Sequence, residues 1–257
     1  MSEQTAMNPK KAVKAYMVAA GKYHDIDHAR LELLKLLAED ERIRVQVAAD
    51  FHDLEAIGES DFLVTYTCDL VPTDDEQLAL RDYVASGKSW FALHGTNAIT
   101  RFLEDGRVDT PEIAPVLMET LGTQFKAHPP IQPFKVTLAD PAHELVKGIS
   151  EFETDDELYL CNIHGDLHVL LETRFHGECQ GWVSDQWPKD EPRPVYYINR
   201  VGQGEVLFLN LGHSRGHYDM QPLMDYYPEI ERGSWKRDQF HELLRRGIRY
   251  CADRVAA

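Results

Sequence analysis

The chain has 257 residues, 43% of them hydrophobic and 27% charged, with a formal net charge of -16 at pH 7. That is enough apolar material for a sizeable α/β core. A surface so acidic repels phosphate backbones and anionic lipid heads, which argues against nucleic acid or a membrane surface as partner.

The opening "MSEQTAMNPKK" lacks the apolar stretch of a secretory signal, and no apolar run is long enough to span a bilayer. Residues 1–11 read as a polar tail ahead of one domain over 12–252, and a cytoplasmic protein is expected. "AVKAYMVAAG" (12–21) is a short apolar run closed by glycine, a buried strand. "DIDHARLELLKLLAED" follows as a helix, with Leu31, Leu34 and Leu37 at helical spacing and Asp25 or Asp27 placed to cap it. "RIRVQVAAD" alternates Ile43, Val45 and Val47 as a strand, and residues 61–67 form another. "TDDEQLALRDYVASG" is a helix with a capping box of Thr73 and Glu76 and a closing Gly87. The strand "SWFAL" (89–93) then runs straight into the turn "HGTN".

Further on, "TPEIAPVLMETLG" predicts a helix from Pro111 to Gly122, and strands fall around 134–138, at 166–175 and at 193–200. "VGQG" joins the last of these to 205–212 as an antiparallel hairpin. "RDQFHELLRRGIRYCADR" is the closing helix, with Phe240, Leu243, Leu244, Ile248 and Cys251 along one face. Strands alternating with helices imply an α/β fold: an open, doubly wound, mostly parallel sheet of flavodoxin-like type, with the antiparallel hairpin near the C-terminus.

Three histidines share a context. His24, His94 and His213 each follow an apolar strand, in "GKYHD", "FALHG" and "NLGH". Ligands of open α/β sheets bind outside the carboxyl ends of the strands, where residues far apart in sequence meet. One such histidine is ordinarily a satisfied turn residue; three independent strand ends with an imidazole each point to a site. The acidic run "SEFETDDELYL" carries Glu153, Asp155, Asp156 and Glu157. By composition it is a solvated turn. Alternatively Asp156 or Glu157 turns inward as a base, orients a histidine or completes a metal site. In "GHSRGHYD", His213 and His217 are four apart, but Gly212 and Gly216 argue for a loop. HExxH, GxSxG and GxGxxG are absent. Cys68, Cys161, Cys179 and Cys251 are scattered without a CxxC pair, as expected of reduced thiols.

The order of "GKYHD", "FALHG", "HELVKGISEFETDDELY", "PVYYINRVGQGEVLFLNLGH" and "LLRRGIRYCA" resembles the ThuA-like (trehalose-utilisation) family of the class I glutamine-amidotransferase-like superfamily. The resemblance implies that fold and a part in disaccharide breakdown. Amidotransferases carry a cysteine at the elbow where this chain has His94, so a thiolate glutaminase is not expected. The family likeness implies instead an enzyme of sugar catabolism acting on a keto-sugar or glycoside, such as a 3-keto-disaccharide, by proton removal beside the ketone. On that reading His24, His94, Asp156, Glu157 and His213 are catalytic, and Asp25, Gly95, Thr96, Tyr159, His217 and Tyr218 contact the substrate. His24, His94 and His213 are the ligands for one divalent metal of the Zn, Mn, Fe or Ni type. The partner is then a small-molecule carbohydrate, and a homo-oligomer is compatible with the sequence. Residues 100–132 and the turn Gly95-Thr96-Asn97 depart from the commonest family pattern, so the substrate pocket is the part the resemblance describes least.

The rival reading is a non-catalytic amidotransferase-like module that binds a sugar or a protein, with Trp182, Trp187, Tyr196 and Tyr197 as stacking surfaces rather than packing residues. A concentration of ionisable groups at one spot favours the enzyme.

Overall fold

The computed structural model describes residues 11–255; residues 1–10, most of the expected polar tail, lie outside them. The chain first alternates strand and helix: β1 (Val13–Gly21), α1 (Ile26–Leu37), β2 (Ile43–Ala48), α2 (Leu54–Glu59), β3 (Phe62–Cys68), α3 (Asp74–Ala85) and β4 (Ser89–Leu93). A small flap follows, β5 (Arg101–Phe102) and β6 (Val108–Asp109), then α4 (Pro115–Leu121), β7 (Thr123–Ala127), β8 (Phe134–Leu138), β9 (Phe152–Thr154) and β10 (Leu160–Ile163). Two long strands, β11 (His168–Glu178) and β12 (Gln186–Val201), lead to β13 (Gly204–Leu209) and the closing helix α5 (Asp238–Arg254).

Nine strands form one sheet in the order β2-β1-β3-β4-β13-β12-β11-β8-β9. The pairs from β2 to β13 are parallel; those from β13 to β9 are antiparallel. The sheet is therefore mixed, parallel in its first half as expected and antiparallel in the other. The cause is loop length. A two-residue turn joins β12 to β13, and the short link between β11 and β12 has no room for a crossover helix, so each strand must fold back on its neighbour.

Apolar layers cover both faces. Leu33, Leu37, Phe240, Leu244 and Ile248 from α1 and α5 pack against Met17, Val64 and Phe91. Leu80, Val84, Leu117 and Met118 from α3 and α4 pack on the other side against Val18, Leu63 and Trp90. Each such side chain contributes roughly 1.5–3 kcal/mol of transfer free energy. Tyr196 and Tyr197 are core residues of these layers.

Three local expectations need correction. Asp25 caps α1, accepting from the His28 N–H, but the buried face is Ala29, Leu33, Leu36 and Leu37, whereas Leu31 is 53% exposed. Leucines occupy two overlapping stripes, and periodicity alone does not choose between them. Val47 is exposed because β2 is the edge strand of the sheet. Helix α4 begins at Pro115, not Pro111. Pro115 forces the residue before it out of the helical region and serves as the first helical residue itself. The capping box at Thr73 and Glu76 forms as expected. No helix among the described residues is long and apolar enough to cross a membrane.

Candidate active site

Among the described residues, only three that are not glycine hold a positive φ: Tyr23 (67°), Asp69 (55°) and His94 (46°). They stand just past the C-terminal ends of β1, β3 and β4, three neighbouring parallel strands. A left-handed backbone at such residues costs on the order of 1–3 kcal/mol and persists only where the surroundings enforce it. At His94 the enforcement is visible. The next residue, Gly95, lies so close to β3 that a Cβ would meet the Thr67 carbonyl oxygen at 2.7 Å and Cys68 Cβ at 2.8 Å. Only glycine lets the elbow sit there, and the 3-10 turn His94–Asn97 begins on it.

The strand ends converge. His24, His94, His213 and Glu157 are all buried, and one nitrogen or oxygen from each lies within 4.8 Å of the others. His94 Nε2 is 2.9 Å from His24 Nε2 and 3.4 Å from Glu157 Oε2. His24 Nε2 is 3.5 Å from the same oxygen, and His213 Nδ1 is 3.1 Å from Glu157 Oε1.

The second nitrogen of each ring is committed elsewhere. His94 Nδ1–H donates to the Asn210 carbonyl at 2.8 Å. His24 Nδ1–H donates to the Lys22 carbonyl at 3.2 Å. His213 Nε2–H donates to Glu231 at 2.7 Å. Carbonyls and carboxylates accept only, so these contacts fix the tautomers. The remaining nitrogens of His24 and His94 are thereby bare and aimed, with His213 Nδ1 and the Glu157 carboxylate, at a common point; buried His213 Nδ1 lies 3.1 Å from Glu157 Oε1 without good hydrogen-bond geometry. Lone pairs facing each other repel unless a proton or a cation lies between them. Three imidazoles and one carboxylate can hold a divalent ion of the zinc, manganese, iron or nickel type.

Burial lowers the pKa of His213, but the Glu157 charge and the hydrogen bond to Glu231 outweigh it and lift the group to about 9. Burial pushes His24 down to about 4. Burial would raise Glu157, yet the positive charge of His213 beside it holds it well below the usual carboxylate range. Tyr159 O–H reaches His94 Nε2 at 3.2 Å, and its ring stacks on His94 with centroids 4.7 Å apart.

Asp156 and Glu157 are adjacent and both buried, but they face different partners. The Asp156 carboxylate accepts backbone N–H groups from Glu157, Gly212, His213 and Ser234 at 2.8–3.0 Å. It ties three chain segments together and has no contact with the imidazole cluster. Glu157 is the acid that meets the histidines. Asp25 caps α1 and pairs with Arg232. Thr96 is turned into the protein, donating to the Leu93 carbonyl at 2.7 Å. His217 Nδ1–H is given to the Tyr227 carbonyl, and Tyr218 is 66% exposed.

A cavity of about 250 Å³ opens beside the cluster, lined by His24, Glu157 and Tyr159 from the expected site residues and not by His94, Asp156, His213, Asp25, Gly95, Thr96, His217 or Tyr218. Three further liners are His128 and Arg215, which the sequence reading leaves out, and Trp182, which it weighs as a stacking surface. His128 donates its Nδ1–H to the Pro129 carbonyl at 2.7 Å, which leaves Nε2 free, 3.6 Å from Glu157 Oε1. Arg215 reaches Glu157 at 3.4 Å and Glu231 at 2.9 Å. Trp182 closes one side against Phe125 and His128. His128 follows the apolar run "TQFKA" of β7 just as the other three histidines follow theirs; that was the available signal. Trp187 does not line the cavity but stacks on Arg193. Cys68 does line it, yet burial, reinforced by the Glu157 charge, pushes its thiol pKa far up.

The fold is similar to that of a ThuA-like protein from Bacteroides uniformis, with 18% identity, 96% of this chain and 94% of that one covered, and a TM-score of 0.64. It is also similar to a ThuA-like protein from Parabacteroides merdae, with 16% identity, coverage of 94% and 90%, and a TM-score of 0.59. A cytoplasmic protein from Salmonella typhimurium shares 15% identity over 94% of this chain and 98% of that one, with a TM-score of 0.52. No curated protein matches the chain. A family profile described as ThuA, trehalose utilisation, matches residues 14–227 and so spans the first two strand-end histidines, the acid loop and His213. The chain belongs to the ThuA family, whose described role is trehalose utilisation.

Proposed function

We propose that the protein is a carbohydrate-active enzyme of sugar catabolism that takes a proton from the carbon beside a ring ketone, on a 3-keto-glycoside or related oxidised sugar. His24, His94, His213 and Glu157 would hold one divalent metal ion. The observation behind this reading is the tautomer pattern. Each of the three rings gives its second N–H to a fixed acceptor, and the remaining nitrogens and Glu157 share one small volume. A sugar substrate follows from the family's described role.

Bound there, a divalent cation would polarise a ring ketone and make the neighbouring C–H more acidic. The chain's own groups do the rest. Ring nitrogens that held a metal would have no lone pair left for a proton, so the base would come from outside the three imidazoles. His128 lines the cavity with Nε2 free and is placed to accept the proton. On a 3-keto-glycoside, loss of the C2 proton and departure of the group on C1 leave an unsaturated ketone and an alcohol. The proton that His128 takes balances the one the leaving oxygen gains. Arg215 and Glu231 hold Glu157 and His213 in place. A thiolate attack does not enter this scheme, since Cys68 is buried with a raised pKa.

The test pairs metal analysis of protein purified without a His-tag with turnover of oxidised and unoxidised disaccharides. We expect about one equivalent of a transition metal, turnover of the oxidised sugar alone, and loss of activity on chelation. Metal-free protein whose turnover ignores chelators would remove the metal. Equal inertness toward both sugars would remove the enzyme.

A further inference from the structure

We infer that the cavity takes a single sugar ring, seated against Trp182, and leaves whatever is attached to that ring outside; this rests on the function proposed above. The first observation is size. The cavity measures about 250 Å³, whereas pockets for drug-sized ligands run about 300–1,000 Å³. A disaccharide has the bulk of a small drug; one ring has about half of it.

The second observation is the wall. Trp182 stands edge-on to Phe125 and to His128, with centroids 5.1 Å away in each case. Its position is set by two unrelated segments. Its backbone bridges to Val108 of the flap, the Val108 N–H donates to the Gly181 carbonyl at 2.7 Å, and the Val183 N–H donates to the Val108 carbonyl at 2.9 Å. A large ring so firmly mounted, yet kept half-buried at a cavity, offers a flat apolar surface. The C–H face of a pyranose matches such a surface, and an indole carries more of it than any other side chain.

The third observation is polarity along the cavity. Glu157 and His24 are buried at its base, while Phe102, set against Tyr23 at 5.4 Å, is 41% exposed at its edge. The oxidised edge of the ring therefore faces His24 and Glu157, and its glycosidic substituent leaves past Phe102. A ring substituted on two sides does not fit. The specificity is then for a terminal oxidised ring, with tolerance for the group it carries.

Calorimetric binding and turnover of three compounds test this: methyl 3-keto-glucoside, a disaccharide oxidised in its terminal ring, and a trisaccharide oxidised in its middle ring. We expect the first two to bind within about tenfold of each other and the third about a hundredfold more weakly. Trp182→Ala, with Trp182→Leu as the milder control, should weaken the methyl glycoside about tenfold. Middle-ring binding as tight as the others, or unchanged binding by both Trp182 variants, overturns the inference. The expected ranking without any turnover leaves the inference standing and sinks the proposed chemistry. Turnover of the middle-ring compound does the reverse, and no binding by any of the three defeats both.

Discussion

The two halves of the sheet do different work. In the parallel half, β3 and β4 are buried along their whole length, and helices cover both faces. Strands so enclosed have fixed ends, and His24, His94 and His213 stand on those ends with carbonyl or carboxylate partners that fix each ring. In the antiparallel half, β11 and β12 run out into solvent along much of their length. Their connecting loop carries Trp182, and nearby loops carry His128 and Glu157. The contrast teaches a division of labour. The three strand-end imidazoles sit where burial is deepest, and the aromatic wall of the cavity sits on the loop between two strands that reach into solvent.

The sharpest way to break that division is to remove a strand-end imidazole. His94→Asn suits the left-handed backbone, so the fold should survive, while turnover falls on the order of a thousandfold or more. Metal content should fall with it, measured together with a melting curve. Full turnover in a folded His94→Asn protein would move the chemistry out of the parallel half. His128→Ala probes the other side. Turnover should drop roughly a hundredfold or more, metal content should stay, and added imidazole should restore part of the rate. Loss of metal from this variant would make His128 a ligand instead.

Asp156→Ala comes next and acts on stability. Four backbone N–H groups lose a buried charged acceptor, a cost of about 3–5 kcal/mol, or a Tm lower by roughly 10 °C. A melting temperature unchanged within a degree or two would deny Asp156 its part in joining the halves. The smallest effect is expected from Tyr218→Ala. Its ring is 66% exposed, and KM should hold within about twofold. A large rise in KM would bring the exposed loop after His213 into the substrate site.

The parallel half was the legible half. Strands β1, β3 and β4 are apolar runs, and the histidines after β1, β4 and β13 can be read as strand-end groups. Glu157 could not be told from Asp156, because the two are adjacent and only tertiary partners separate them. His128 obeys the same rule as the other histidines, but β7 is short and pairs only with β10, and the prolines after it suggested a loop. Trp182 lies in a loop without periodicity. Asp25, Gly95 and Thr96 are chain neighbours of His24 and His94 yet do not line the cavity, because neighbours along a chain point in different directions. The mixed sheet was half visible: the hairpin was read, but the pairing of β11, β8 and β9 depends on partners far away in sequence.

The strand that joins the two halves, β13, is the last strand of the chain yet lies at the centre of the sheet. During synthesis β4 emerges early and waits with one long apolar edge unpaired. At ordinary elongation rates that wait lasts roughly ten seconds. β12 likewise has no inner neighbour until residues 204–209 arrive. Open edges of this kind template association with other chains. A product that stops between β12 and β13, by a nonsense codon or a proteolytic nick, therefore carries two unpaired edges and should accumulate as aggregate rather than as a smaller folded protein.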